Sequence, residues 1–120
     1  MSKRVPKEIN LNRRTRILTV AFEDESFDFS CEYLRVHSPS AEVKGHGPGQ
    51  EVLQVGKENV NIDAIEPVGN YAIKPVFSDG HDSGIFSWDT LYHLGVEMEQ
   101  NWQIYLERLA EAGIERKFDA

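Results

Sequence analysis

Residues 16–22 (RILTVAF) crowd β-branched side chains together, run into the polar stretch Glu23-Asp24-Glu25, and are followed by Phe27 and Phe29 alternating with polar neighbours. A period of two on both sides of a polar turn predicts a β-hairpin. Ser30 stands where an N-cap belongs, ahead of a short helix carrying Tyr33, Leu34 and Val36 that Pro39 must stop. Gly45, Gly47, Pro48 and Gly49 make residues 44–50 a loop. Val60, Ile62, Ala64 and Val68 alternate with polar positions as a third strand, and Gly69-Asn70 has the chemistry of a tight turn with positive φ before a return strand over 71–77. Pro75 predicts an edge position or a bulge there, because proline brings no N–H to a ladder.

The second half changes period. After a turn at Ser78-Asp79-Gly80 and a short strand over 84–86, Ser87 can cap a helix over 88–94 that Gly95 stops. Met98, Trp102, Tyr105, Leu106 and Leu109 then fall on one face of a final helix that Gly113 ends. Strands first and helices last, without βαβ alternation, predict an α+β domain: a small antiparallel sheet with helices packed on one face. At 120 residues the chain holds one modest core, burying roughly 65% of the surface its unfolded form exposes. The organisation expected is a basic flexible tail over 1–12, a single domain over 13–113 and a C-terminal tail over 114–120.

Charge refines this picture. Residues 1–16 carry six Lys/Arg against Glu8, a local +5 that leaves −12 on the remainder of a chain whose net charge is −7. An acidic body disfavours nucleic acid and anionic lipid as partners, and no apolar run approaches the length of a membrane span. The basic start lacks the apolar segment of a secretory signal, so a cytoplasmic location is expected. Cys31, the only cysteine, excludes an intrachain disulfide and any zinc site built from several thiolates, and reads as an inert buried thiol.

No phosphate-cradling glycine loop, nucleophile elbow or complete catalytic set is present, so an enzyme is not expected. Asp79 and Asp82 flank Gly80, where aspartate serves turn geometry. The histidines leave an alternative open. His37, His46 and His81 lie in loops beside acids, Glu42 separating the first two, and could share one divalent metal ion if those loops converge. His93, within a helix, reads as partly buried.

Three ordered segments, LRVHSPSAEVKGHG from Leu34, IEPVGNYA from Ile65 and DGHDSGIFSWDTL from Asp79, resemble a bacterial family of unknown function, the DUF971 family, similar to the N-terminal domain of gamma-butyrobetaine hydroxylase. The resemblance spans about residues 13–113. It implies that fold and an accessory role, since such domains stand alone, precede carnitine-biosynthesis oxygenases, or are appended to iron–sulfur carrier ATPases. It also implies a test: in the oxygenases three cysteines and a histidine hold a structural zinc, and those positions fall here on Ser38, Ser40, Val43 and His81. Hydroxyls cannot replace thiolates at zinc. The function expected is therefore a non-catalytic interaction domain serving an iron–sulfur carrier ATPase or an oxygenase-type enzyme, with a contact surface including Ser38, Ser40, His46, Asp79, His81 and Asp82. The alternative is a metal-binding domain using His81, His37, His46 and Glu42.

Overall fold

A computed structural model describes residues 4–45, 47 and 49–118. Six strands and four helices follow in the order β1 (Glu8–Asn12), β2 (Ile17–Ala21), β3 (Ser26–Ser30), α1 (Cys31–Val36), α2 (Ala41–Lys44), β4 (Ile62–Val68), β5 (Ala72–Phe77), β6 (Phe86–Ser87), α3 (Trp88–Val96) and α4 (Met98–Glu111). The strands form two three-stranded antiparallel sheets, β1-β2-β3 and β4-β5-β6, each a meander of consecutive strands. The fold is α+β, with two sheets where the strand pattern predicts one.

The predicted hairpin is β2–β3, with Leu18 opposite Phe29 and Val20 opposite Phe27. It gains an outer strand from the segment read as tail: Glu8–Asn12 pairs along β2, and Ile9 and Leu11 pack against the core. The Asn12 side chain turns the chain back, its Oδ1 accepting the Arg14 and Thr15 N–H groups. The connection from β4 to β5 runs through Gly69, Asn70 and Tyr71, with positive φ at Gly69 alone. Pro75 sits in β5, the central strand of its sheet rather than an edge. Among the described residues β6 pairs only with Ala72 and Ile73, so no second strand lies beside β5 at Pro75.

Ser30 and Ser87 cap as their positions suggest, accepting the N–H of Tyr33 and of Thr90. Gly95 does not stop α3, which runs on to Val96. Its role is steric: a Cβ there would lie 2.4 Å from the Phe27 ring. His93 is exposed, not partly buried. Both sheets feed one core, in which Leu18, Val20 and Phe29 meet Ile62, Ile73, Phe77 and Phe86, with Tyr33 and Leu34 of α1 and Leu91 of α3 between them. Val36, Tyr105 and Leu109 seat α4 in a second cluster with Ile114. The C-terminal segment read as tail is docked by Arg116, which pairs with the buried Glu32.

Candidate functional site

The first half of the site is laid down by two short helices in series. α1 ends at Val36 with His37 as its C-cap, and Ser40 then caps α2 by accepting the Glu42 N–H at 3.2 Å, which fixes Ser38, Ser40 and Glu42 on one tight bend. The other half is the turn after β5. Asp79 Oδ1 accepts the His81 N–H at 3.2 Å, an aspartate turn that Gly80 completes at φ +91°.

These halves close on each other across the core's edge. His81 Nε2 lies 2.9 Å from Ser38 Oγ, and its Nδ1 lies 2.9 Å from Glu42 Oε2. An ionised carboxylate only accepts, so Nδ1–H donates to Glu42, and in the neutral ring Nε2 accepts the Ser38 hydroxyl. Ser40 Oγ and Ser83 Oγ stand 2.7 Å apart and form a second bridge between the same segments.

Serine, histidine and carboxylate in this series have the connectivity of a nucleophile, base and orienting group. The nucleophile is closed, however. Ser38 has no exposed surface, His81 is 5% exposed, and a Cβ at Gly84 would fall 2.2 Å from Ser38 Oγ. No substrate carbonyl can reach that hydroxyl while the 79–84 turn stays in place, so the arrangement works as a clasp. Among the described residues no buried side-chain nitrogen or oxygen lacks a hydrogen-bond partner.

A second polar knot secures the clasp. The Arg35 guanidinium, 8% exposed, donates to Asp79 Oδ2 at 2.9 Å and to Gln54 Oε1 at 3.0 Å, while Lys57 Nζ reaches the same Asp79 oxygen at 2.6 Å. Burial works against the Asp79 carboxylate, but Lys57, the His81 N–H and Arg35 outweigh it and hold the group at about 2. Cys31 is fully buried and burial pushes its thiol up to about 11, the behaviour of an unreactive cysteine.

The predicted site residues therefore separate. His81 and Glu42 come together. His37 faces elsewhere, its Nδ1 donating to the Tyr33 carbonyl at 2.9 Å, with burial lowering its pKa. His46 lies outside the described residues. Among the described residues no three His, Cys, Asp or Glu side chains converge on a point that could hold a metal. Ser38, Ser40 and His81, expected on a contact surface, are buried because their polar atoms are used internally. Asp82 remains exposed beside them.

Sequence reasoning missed the feature next to the clasp. A groove of about 790 Å³ opens between α4 and the segment that follows α2. Val36, Val43, Val52, Leu94, Ile104 and Tyr105 supply its apolar lining, and Lys44, Glu51 and Arg108 supply its charges. Ile104 was the available signal: an apolar residue off the buried stripe of α4, and 48% exposed.

The model of the gamma-butyrobetaine hydroxylase-like N-terminal family matches residues 9–92. This chain belongs to that family. No protein of curated function matches it. A solution NMR structure 49% identical in sequence covers 99% of this chain and 94% of its own, with a TM-score of 0.84. A second, at 44% identity, covers 99% and 96% with a TM-score of 0.81. A crystal structure of a DUF971 protein of unknown function from Acidithiobacillus ferrooxidans is 35% identical over 75% of this chain and 91% of its own, with a TM-score of 0.63. In this gamma-butyrobetaine hydroxylase-like domain the positions implied for a Cys3His zinc are two hydroxyls, an isopropyl group and an imidazole already hydrogen-bonded at both nitrogens. That donor set does not fit the metal. The Ser38–His81 hydrogen bond joins the two segments that such a metal would cross-link.

Proposed function

We propose that this domain is a non-catalytic docking module of the cytoplasm that serves a larger enzyme, of the iron–sulfur carrier ATPase or oxygenase type with which the family is associated. The observation that carries this reading is the contrast between two neighbouring regions. The polar cluster with nucleophilic connectivity is sealed, with Ser38 at zero exposure, whereas the apolar groove beside it stands open with Val52 and Ile104 about half exposed. A closed reactive group and an open apolar recess favour binding over chemistry. Among the described residues no helix is long and apolar enough to cross a membrane. The test is direct binding of the purified chain to a purified carrier ATPase and a purified oxygenase from the same cell, followed by calorimetry. A saturable stoichiometric complex with either one supports the reading, and absence of heat and of co-elution with both removes it.

One contact favours a second reading, metal handling: His81 Nδ1 and Glu42 Oε2 stand 2.9 Å apart. A metal bound only by the folded chain must raise its thermal midpoint. Unchanged midpoints with Zn²⁺, Co²⁺, Ni²⁺ and Fe²⁺ eliminate that reading.

A further inference from the structure

Resting on the docking reading, we infer that the groove between α4 and the facing wall of Val43, Val52 and Gln54 receives an acidic amphipathic helix of the partner protein. Three observations specify the occupant. The groove's described lining comes from α1, α2, α3, α4 and irregular chain, with no strand among its residues, so it offers no unpaired ladder for an extended peptide to join. Recognition must then run through side chains, and an apolar trough of Val43, Val52, Leu94, Ile104 and Tyr105 suits the anchors of a helix at i, i+3 or i+4, and i+7.

Charge supplies the second observation. On a protein of net charge −7, the groove carries two cations, Lys44 and Arg108, against the single acid Glu51. Among the described residues Lys44 has no ion pair, and Arg108 makes only a long contact with the Glu51 carbonyl, 3.5 Å. Glu51 itself is turned to its own loop, its Oε1 accepting the Gly49 N–H at 3.3 Å. The unengaged charge at the rim is positive, and an approaching acidic helix would be steered to it past an otherwise acidic surface.

Third, the apolar floor is held ready. Val43 is buried and braced within its own wall through its carbonyl, which accepts the Val52 N–H at 2.9 Å, while Tyr105 ties α4 across to that wall by its hydroxyl donating to the Gln54 carbonyl at 2.8 Å. A recess set in place before binding spares the partner the cost of ordering it.

The experiment pans a display library of random peptides of about 14 residues, four helical turns, against the full chain, with the Ile104→Lys chain as counter-target. Ile104 and Val52 are surface residues, so Ile104→Lys and Val52→Lys both leave the core intact, and either can serve if the other expresses poorly. Selected peptides are then titrated into the isotope-labelled full chain. The expected result is enrichment of sequences with helical apolar spacing and flanking Asp/Glu. Such peptides should shift the amides of Val43, Val52, Ile104 and Arg108, and bind about tenfold more weakly to Ile104→Lys and to Lys44→Glu/Arg108→Glu. Enrichment of basic peptides, or groove amides that shift with chain concentration alone because a second copy fills the recess, overturns the inference. Peptides that bind Ile104→Lys equally well and perturb another face also overturn it, yet leave the docking reading standing. No binder here and no complex with either enzyme removes both.

Discussion

At the scale of single residues, the clasp turns on one hydroxyl. Ser38 Oγ has two partners inside the protein, the His81 ring and the Ser40 N–H at 3.3 Å; Ser38 is fully buried and both partner residues are buried. Ser38→Ala therefore removes the partner of two buried groups at once, and leaving buried donors and acceptors unmade costs about 1–3 kcal/mol. Urea unfolding of Ser38→Ala should show that loss, whereas Ser83→Ala, on the exposed side of the second bridge, should cost about 0.5 kcal/mol or less. Equal losses for the two would remove the clasp from its central place. Asp79 makes a separate prediction about pH. Its folded pKa of about 2 lies below the ordinary aspartate value, so the unfolded chain binds more protons in the interval between them. Its contribution is fully present above about pH 4 and is lost as pH falls toward 2. Asp79→Asn should be less stable than the parent at neutral pH by about 2 kcal/mol, because it strands the buried Arg35 charge. The gap between the two proteins should narrow on acidification, and a gap independent of pH from 2 to 6 would refute the assignment.

At the scale of elements, α3 sets propensity against packing. Replacing a helical glycine by alanine ordinarily gains about 0.5–1 kcal/mol. At Gly95 the added Cβ would stand 2.4–2.6 Å from three atoms of the Phe27 ring, so α3 must move off β3 or the ring must leave its rotamer. Overpacking of that kind costs about 1–3 kcal/mol, and Gly95→Ala should be net destabilising by calorimetry. In the Gly95→Ala/Phe27→Leu double variant the two losses should be less than additive. A stabilised Gly95→Ala would show that the helix–strand approach is looser than its geometry. The same glycine marks the limit of local reading. Residue type at 95 suggests a helix stop, and only the ring across the interface explains why glycine is needed inside the last turn of α3. Ser30, Ser87 and the β2–β3 alternation were legible because their causes lie within a few residues. β1 was not, since EINLN offers only Ile9 and Leu11 as apolar positions and its strand character comes from pairing with β2. α2, four residues long between Pro39 and Gly45, was hidden by its flanks. The site followed the same division. The residues of the clasp were visible as candidates, but Ser38 meets His81 across 43 positions, and the choice of His81 over His37 is made by the tertiary fold.

At the scale of the whole molecule, residues 114–118 close the structure. Glu32 sits at the start of α1 with its side chain 7% exposed, and Arg116 grips it through both guanidinium arms, Nε to Oε2 at 2.9 Å and Nη2 to Oε1. Arg116 is itself held between the Trp102 and Phe118 rings, at 5.0 and 4.7 Å from their centroids. The backbone beside it is fixed as well, because Glu58 accepts the Lys117 N–H at 2.6 Å and the Lys117 carbonyl accepts from Asn59 at 2.9 Å. Residues 114–118 thus tie α1, α4 and the segment before β4 together, and the pair matters chiefly through what remains when it is broken. Arg116→Ala leaves a carboxylate buried without its counter-charge, which costs about 2–4 kcal/mol, whereas Glu32→Gln together with Arg116→Ala removes the charge itself and should recover much of that loss. Chemical denaturation of the parent, the two single variants, the double variant and a chain ending at Gly113 separates these contributions. The truncated chain should resemble Arg116→Ala and should regain stability when Glu32→Gln is added. If truncation leaves the midpoint unchanged, the segment is an appendage and the fold is complete at the end of α4.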